Sequence, residues 1–234
     1  MQKPKISIIL STYNEELAIE ATIKEILKYI ENVEIIIVDD DSTDETPRIL
    51  RKFNSENIKI FFRKKTKGLA SAFLLGLINS SGDIIGWVDS NMTKVIKLFP
   101  NMIDELENSD IVLLSRFINN GADERNLIRK YASFCLNKTT KFLLKSNIND
   151  LSSGIFVMQR KVLLDVVPIA TGHGEFIIEL LHNAEKKGNK VKEIAYTQPN
   201  DEEGNSKSYP NIFKFASLGF FYFIRIIQTL IRRN

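Results

Sequence analysis

The sequence predicts an α/β fold: a mostly parallel central sheet with helices on both faces, followed by a C-terminal amphipathic helical tail. Three observations predict it. Apolar runs alternate with amphipathic stretches through the first hundred residues, the order that parallel strands and crossover helices require. The runs are apolar at successive positions, as strands covered on both faces are. Several of them end in polar clusters, and in such sheets ligands sit beyond the carboxyl ends of the strands.

The elements follow in order. "KISIILSTYN" reads as a buried strand turning polar at its end. "EELAIEATIKEILKYIE" carries Ile19, Ile23, Ile26, Leu27 and Ile30 at helical spacing. "VEIIIVDDDS" is a second strand, and "DETPRILRKFN" a helix with Pro47 in its first turn. "NIKIFFRKK", "GLASAFLLGLINSS" and "GDIIGWVDS" give strand, helix and strand. After Pro100 the pattern changes. "SDIVLLSRF" is a strand, "RNLIRKYASFCLNKTTKFLLK" a long amphipathic helix, and "DLSSGIFVMQRKVLLDV" a strand followed by a helix. "EFIIELLHNAEKKG" is a helix, "KVKEIAYTQ" a strand and "NDEEGNSKSYPN" a polar loop. The predicted division is a domain over residues 1–210, with a nucleotide-binding half (1–100) and an acceptor half (101–210), and a helical tail over 211–234.

Composition narrows the function. The 234 residues are 44% hydrophobic and 26% charged, which is globular and long enough for a sizeable core. A net charge of +3 is too small to argue for nucleic acid. Cys135 is the one cysteine, so it makes no internal disulfide or cysteine-based zinc site, and it reads as a small helix-face residue. The N-terminal apolar run is too short for a signal peptide core. No stretch reaches the roughly 18–20 uncharged apolar residues of a spanning helix. The expected location is cytoplasmic.

Three polar clusters, Thr12–Glu15, Asp39–Asp41 and Asp89–Asn91, fall at strand ends and would line one crevice. Helix capping by Ser42 or Thr43, with acids near the helix start, accounts for Asp44 and Glu45. It does not account for Asp39 and Asp40, which extend a buried strand toward the crevice. A carboxylate there accepts hydrogen bonds from a base or ribose. A phosphoacceptor receiver domain also has acidic strand ends, but its acid pair sits on the first strand and it is only about half this chain's length.

The series "STYNE", "IIIVDDDSTDET", "KGLASAFLLGL", "SGDIIGWVDSN", "SRF", "RKYASFCLN", "NDLSSGIFVMQRKVL" and "EGNSK", spanning about residues 5–207, resembles the family 2 inverting glycosyltransferases of the GT-A (Rossmann-like) fold. Within them it is similar to the dolichyl-phosphate mannose synthase branch and its bacterial polyprenyl-phosphate relatives. The resemblance implies hexose transfer from a nucleoside-diphosphate sugar to a lipid phosphate, with Mg2+ or Mn2+. It implies that Tyr13, Asn14, Glu15, Asp40, Lys67 and Ser90 serve the nucleotide sugar. The metal motif falls on Asp89 and Asn91. Arg116, Arg129, Ser133 and Lys207 match positions that grip the acceptor phosphate, with Asp89, Arg116 and Arg129 central to catalysis. Asp150 matches a family acid without an assigned role.

Two positions depart from the pattern. Asn91 stands where a second metal carboxylate is expected, so the cation would be completed by the donor diphosphate. Asp201 replaces an Arg of the relatives, beside Glu202 and Glu203. This leaves open a non-lipid acceptor in surface polysaccharide synthesis, or a nucleotide-sugar-binding homologue without turnover. The tail "IFKFASLGFFYFIRIIQTLIRR" is aromatic, aliphatic and basic, which suits a helix lying on the inner face of a membrane; packing against a partner is the plainer reading. "RKKTK" reads as a solvated loop apart from Lys67. His173 and His182 read as structural or surface residues. "TGHGEF" reads as a Gly-bearing turn that shapes the acceptor pocket.

Overall fold

The computed structural model describes residues 3–200 and 212–232, with side chains over 3–200 and 219–232. The predicted strands form as β1 (Ile6–Thr12), β2 (Val33–Asp39), β3 (Ile58–Phe62), β4 (Ile84–Trp87), β5 (Ile111–Ser115), β7 (Phe156–Gln159) and β8 (Val191–Ala195). They make one sheet in the order β3-β2-β1-β4-β7-β5-β8. All neighbours are parallel except β7, which runs antiparallel to both β4 and β5. A two-stranded sheet pairs β6 (Ala122–Asp123) with β9 (Thr197–Gln198).

Strand residues alternate between two helical layers, because successive side chains point to opposite faces. Ile9, Ile36, Val38, Ile85, Trp87, Leu113, Phe156 and Met158 face α3 (Leu69–Ile78), α7 (Phe176–Lys186) and part of α8 (Ile212–Ile231). Ile8, Leu10, Ile35, Ile37, Val112 and Val157 face α1 (Ile19–Tyr29), α2 (Thr46–Leu50) and α4 (Phe99–Asp104). The first layer centres on aromatics: Phe73 lies 5.4 Å from both Trp87 and Phe176, and 5.9 Å from Phe156. Truncating one such ring to Ala costs about 3–5 kcal/mol, so this cluster anchors α3 and α7 to the sheet.

The remaining helices are α5 (Leu127–Leu144) and the short α6 (Val162–Asp165). Asn126 caps α5 by accepting the Arg129 N–H at 3.0 Å. The opening of α2 differs from expectation. Asp44 accepts the Thr46 N–H at 3.0 Å, whereas Ser42 turns back and donates to Asp39. The tail is helical as expected, but its described face is docked. Arg225, Ile226 and Thr229 are buried, and Arg225 and Arg232 both pair with the buried Glu179 of α7. Its outward side chains, Phe220, Phe221, Phe223, Leu230 and Ile231, are apolar.

Candidate functional site

The register of the sheet gathers the three polar clusters. Thr12 of β1 lies opposite Asp39 of β2, and Ile9 lies opposite Trp87 of β4. Asp40 and Asp89 therefore end strands that flank β1, roughly 10 Å apart at two strand spacings. One sugar nucleotide can bridge that gap.

The loops after β1 and β2 are zipped together by side chain to backbone bonds. Asn14, in the left-handed region at φ 55°, accepts the Thr43 N–H at 2.7 Å, and its own N–H donates to Ser42 Oγ at 2.8 Å. The Glu15 N–H donates to Thr46 Oγ1 at 2.8 Å. Asp39 is spent on the Ser42 N–H and hydroxyl. Asn14 and Asp39 thus build the crevice wall. Asp40 is buried and accepts from Arg63 Nε and from the Gly68 N–H, the latter at 2.8 Å. Arg63 also donates to Ser71 Oγ at 2.9 Å and to the Gly68 carbonyl at 2.8 Å. Tyr13 is 44% exposed, with Lys67 Nζ 5.6 Å from its ring centre and 3.2 Å from Asp41. An exposed ring beside an ammonium group is suited to stack a base and meet a phosphate.

Asp89 is half-buried at the end of β4; its carbonyl accepts the Met92 N–H at 3.0 Å, but its carboxylate has no hydrogen-bond or ion partner among the described residues. Burial, and then the charge of Glu15, push its carboxyl up to about 6. Glu34, at the opposite end of the strands, shows what a structural acid looks like here. Burial pushes it up, but bonds from Ser7, the Ser81 N–H and Lys59 outweigh that and hold it at about 2. An acid whose charge is unmet is the kind of group that a functional site leaves for a ligand. Gly154 lies against Asp89: a Cβ there would stand 3.7 Å from Asp89 Oδ2. The Asn91 side chain is exposed, and Ser90 is buried with its carbonyl accepting from Thr22 at 2.8 Å. Among the described residues no three His, Cys, Asp or Glu converge as a cation site. The donor set fits a cation that brings most of its ligands with it: one carboxylate with unmet charge, with an amide two residues on.

The region after β5 is braced by charge. Arg116 is buried and grips Asp150 in a fork, Nε to Oδ2 at 2.8 Å and Nη2 to Oδ1 at 2.7 Å, with Ser152 also at 2.8 Å. Burial opposes its charge, but Asp150 outweighs burial and raises its pKa. Its Nη1 lies 3.8 Å from Asp123. Arg125 forks onto Asp123 at 2.9 and 2.6 Å and donates to Ser133 Oγ at 2.9 Å. Arg129 is half-exposed on the first turn of α5. Lys207, like Asp201, Glu202 and Glu203, lies outside the described residues.

The glycosyl transferase family 2 profile matches residues 7–167. The chain belongs to that family. It is 31% identical over 212 residues to a dolichol-phosphate mannosyltransferase of Pyrococcus furiosus, covering 87% of this chain and 59% of the relative. It is 24% identical over 214 residues to a dodecaprenyl-phosphate galacturonate synthase of Rhizobium johnstonii, covering 88% and 62%. The chain thus spans about three fifths of the length of these curated relatives. Their names support the polyprenyl-phosphate branch. Glucosyl-3-phosphoglycerate synthase from Mycobacterium tuberculosis, solved with Mn2+, uridine diphosphate and phosphoglyceric acid, superposes with a TM-score of 0.74 at 18% identity, over 99% of this chain and 80% of that one. That likeness shows a shared GT-A-like fold.

In this family 2 domain Tyr13, Asn14, Glu15, Asp40, Lys67 and Asp89 follow the carboxyl ends of β1 to β4, whereas Arg116 follows β5 and Arg129 and Ser133 lie on α5. The structure changes the immediate partners of several. Arg116 is charge-balanced by Asp150, Ser133 is held by Arg125, and Asn91 is exposed without a side-chain hydrogen bond to Asp89, which leaves its amide open to a ligand. It also adds residues that sequence reasoning passed over. Arg63 is not a solvated loop residue but the main partner of Asp40. The signal was available: Arg63 directly follows β3, and Phe62 pairs with Asp39, so its side chain leaves at the same sheet edge. Asp123 and Arg125 had no such signal, because they meet Arg116 only through the loop after β5. The turn at Thr171–Glu175 packs against Gly68, whose N–H is a partner of Asp40. His173 is exposed; His182 is buried, and burial lowers its pKa.

Proposed function

We propose that this domain transfers a hexose from a nucleoside-diphosphate sugar to a polyprenyl phosphate with inversion, working at the inner face of a membrane. The observation that carries the donor side is Asp89, an acid with unmet charge one strand over from the β1 end and two from Asp40. Tyr13 and Asp40 take the base and ribose, and Lys67 the diphosphate. Asp89, with the Asn91 amide, would hold a Mg2+ or Mn2+ ion. When bound, that ion offsets the charge that builds on the leaving diphosphate. The acceptor is already an anion near neutral pH, so no general base is needed. Its oxygen bonds to the anomeric carbon as the bond to the diphosphate breaks, and the electron pair leaves with the nucleoside diphosphate.

Two negative partners must approach each other, and guanidinium groups suit that task. Arg129 faces the acceptor from α5. Arg116 is held rigid by Asp150, and its Nη1, with its nearest carboxylate at 3.8 Å, keeps donors for a phosphate oxygen. Ser133 belongs to the same acceptor side, and the family resemblance adds Lys207, which lies outside the described residues. The lipid reading is favoured by two helices without acidic residues, α5 and α8. Leu127, Ile128, Tyr131 and Phe142 of α5 are exposed, as are the outward apolar residues of α8. Among the described residues no helix is long and apolar enough to cross a membrane.

The test is transfer of radiolabelled sugar from a panel of nucleotide sugars to undecaprenyl phosphate and, in parallel, to a soluble phosphorylated acceptor. Label in the lipid phase, lost in Arg129→Ala, supports the reading. Label only in the soluble acceptor assigns a non-lipid acceptor. Nucleotide binding without transfer to either assigns a binding homologue.

A further inference from the structure

The C-terminal helix reaches the donor side of the molecule. Arg225 of α8 is 4% exposed and donates through Nη1 to Glu179 at 2.8 Å. Its Nη2 donates to the Thr171 carbonyl at 2.6 Å, and its Nε is buried without a partner. Burying a guanidinium this deeply is costly, and the cost is offset only where its donors find partners.

Its placement leads to Asp40 in three steps. Thr171 precedes Gly172, whose φ of 95° favours glycine. The Gly172 carbonyl accepts the Ala70 N–H at 3.4 Å, at the start of α3. Gly68, at φ 122°, packs backbone to backbone on Gly172: a Cβ at Gly68 would stand 3.0 Å from the Gly172 oxygen. The Gly68 N–H donates to Asp40 at 2.8 Å, and Arg63 ties the Gly68 carbonyl to the same carboxylate. A second contact runs alongside, since a Cβ at Gly174 would stand 2.7 Å from the Tyr222 hydroxyl of α8.

We propose that Arg225 is a positioning residue for the nucleotide site: by clamping the Thr171–Gly172 turn onto Gly68 it fixes the donor that orients Asp40, so the docking of α8 and the binding of the sugar nucleotide are coupled. The nucleotide half of this inference rests on the donor-site reading above. Because coupling is reciprocal, nucleotide binding also tightens the seat of α8. The helix that carries the outward apolar face is then part of the donor site, and its attachment sets donor affinity.

The test combines native-state hydrogen exchange with calorimetry on wild type, Arg225→Met and Arg225→Lys. In the protein without nucleotide, exchange of the Gly68 and Ala70 amides is expected to rise about tenfold in Arg225→Met, while core amides of β1 and β2 keep their rates. Arg225→Lys keeps the charge opposite Glu179 but loses the fork, and is expected to fall between. If Arg225→Met fails to fold, Arg225→Lys carries the same comparison. The dissociation constant of UDP or GDP is expected to rise about tenfold in step with the Gly68 rate. An unchanged Gly68 rate overturns the proposal, as does uniform acceleration of every core strand. A raised Gly68 rate with unchanged nucleotide affinity also overturns it; failure of wild type to bind either nucleotide removes the donor-site reading, and the exchange comparison then decides whether Arg225 clamps Gly68 beside Asp40.

Discussion

Replacing Asp89 by Asn is expected to stabilise the protein without ligand while removing its metal-dependent nucleotide binding. The Asp89 carboxyl is pushed up to about 6, by burial first and by Glu15 second, against about 3.9 in an unfolded chain. The folded state therefore binds more protons than the unfolded state between these values. Its stability falls as pH rises through 6, and the full cost of the charge is present at pH 8. A gap of about two pH units corresponds to about 3 kcal/mol, reduced to about 2 because Asp89 is only half-buried and water screens it. For a domain of this size that is roughly 4–8 °C in melting temperature. Asn has no such charge. Thermal melts of wild type and Asp89→Asn at pH 4 and pH 8 should diverge only at pH 8, with the variant higher. Adding Mn2+ and nucleoside diphosphate should reverse the order, because only wild type gains the binding free energy. Equal melting temperatures at both pH values, or a variant less stable at pH 8, would refute the reasoning.

Other perturbations test other parts. Asp150→Ala strands the buried Arg116 guanidinium, so urea unfolding should show a loss of about 3–5 kcal/mol; a loss below about 1 kcal/mol would mean that Arg116 is solvated. Arg63→Ala should weaken UDP or GDP binding about tenfold, with Arg63→Lys recovering only part, because one ammonium cannot replace a fork to Asp40, Ser71 and Gly68; unchanged affinity would return Arg63 to the solvent. Phe220→Ser with Phe223→Ser should lower co-sedimentation with anionic vesicles, in a manner that salt also weakens, while leaving the melting temperature within about 1 °C, as exposed sites do; undiminished sedimentation would argue against α8 as the attachment.

Much of the fold was legible because its signals are local and redundant. β1, β2 and β4 are apolar on both faces and could only be interior parallel strands, and their polar ends had to share an edge. β7 was legible as a strand, but not as the antiparallel member between β4 and β5, since nothing in "IFVMQ" encodes direction. The paired β6 and β9 are two residues each, below any periodic signal. At the site, Asp40 and Asp89 stood out as acids ending buried strands, a signal that Asp39 shares although its carboxylate is taken up by Ser42. The partners of Arg116 did not, because ion pairs between loops depend on tertiary approach. The burial of Arg225 had no signal in the tail itself; it follows from Glu179, a buried acid of α7 that the tail helix pairs with only through tertiary approach.

The central claim is that β1, β2 and β4 bring Asp40 and Asp89 to one ligand. Calorimetric titration of a single nucleoside diphosphate into wild type, Asp40→Ala and Asp89→Ala, each with and without Mn2+, tests it most directly. The account predicts that Mn2+ tightens binding to wild type, that Asp89→Ala abolishes that gain, and that Asp40→Ala weakens binding in both conditions. Binding that ignores Mn2+ and is untouched by Asp89→Ala would contradict it.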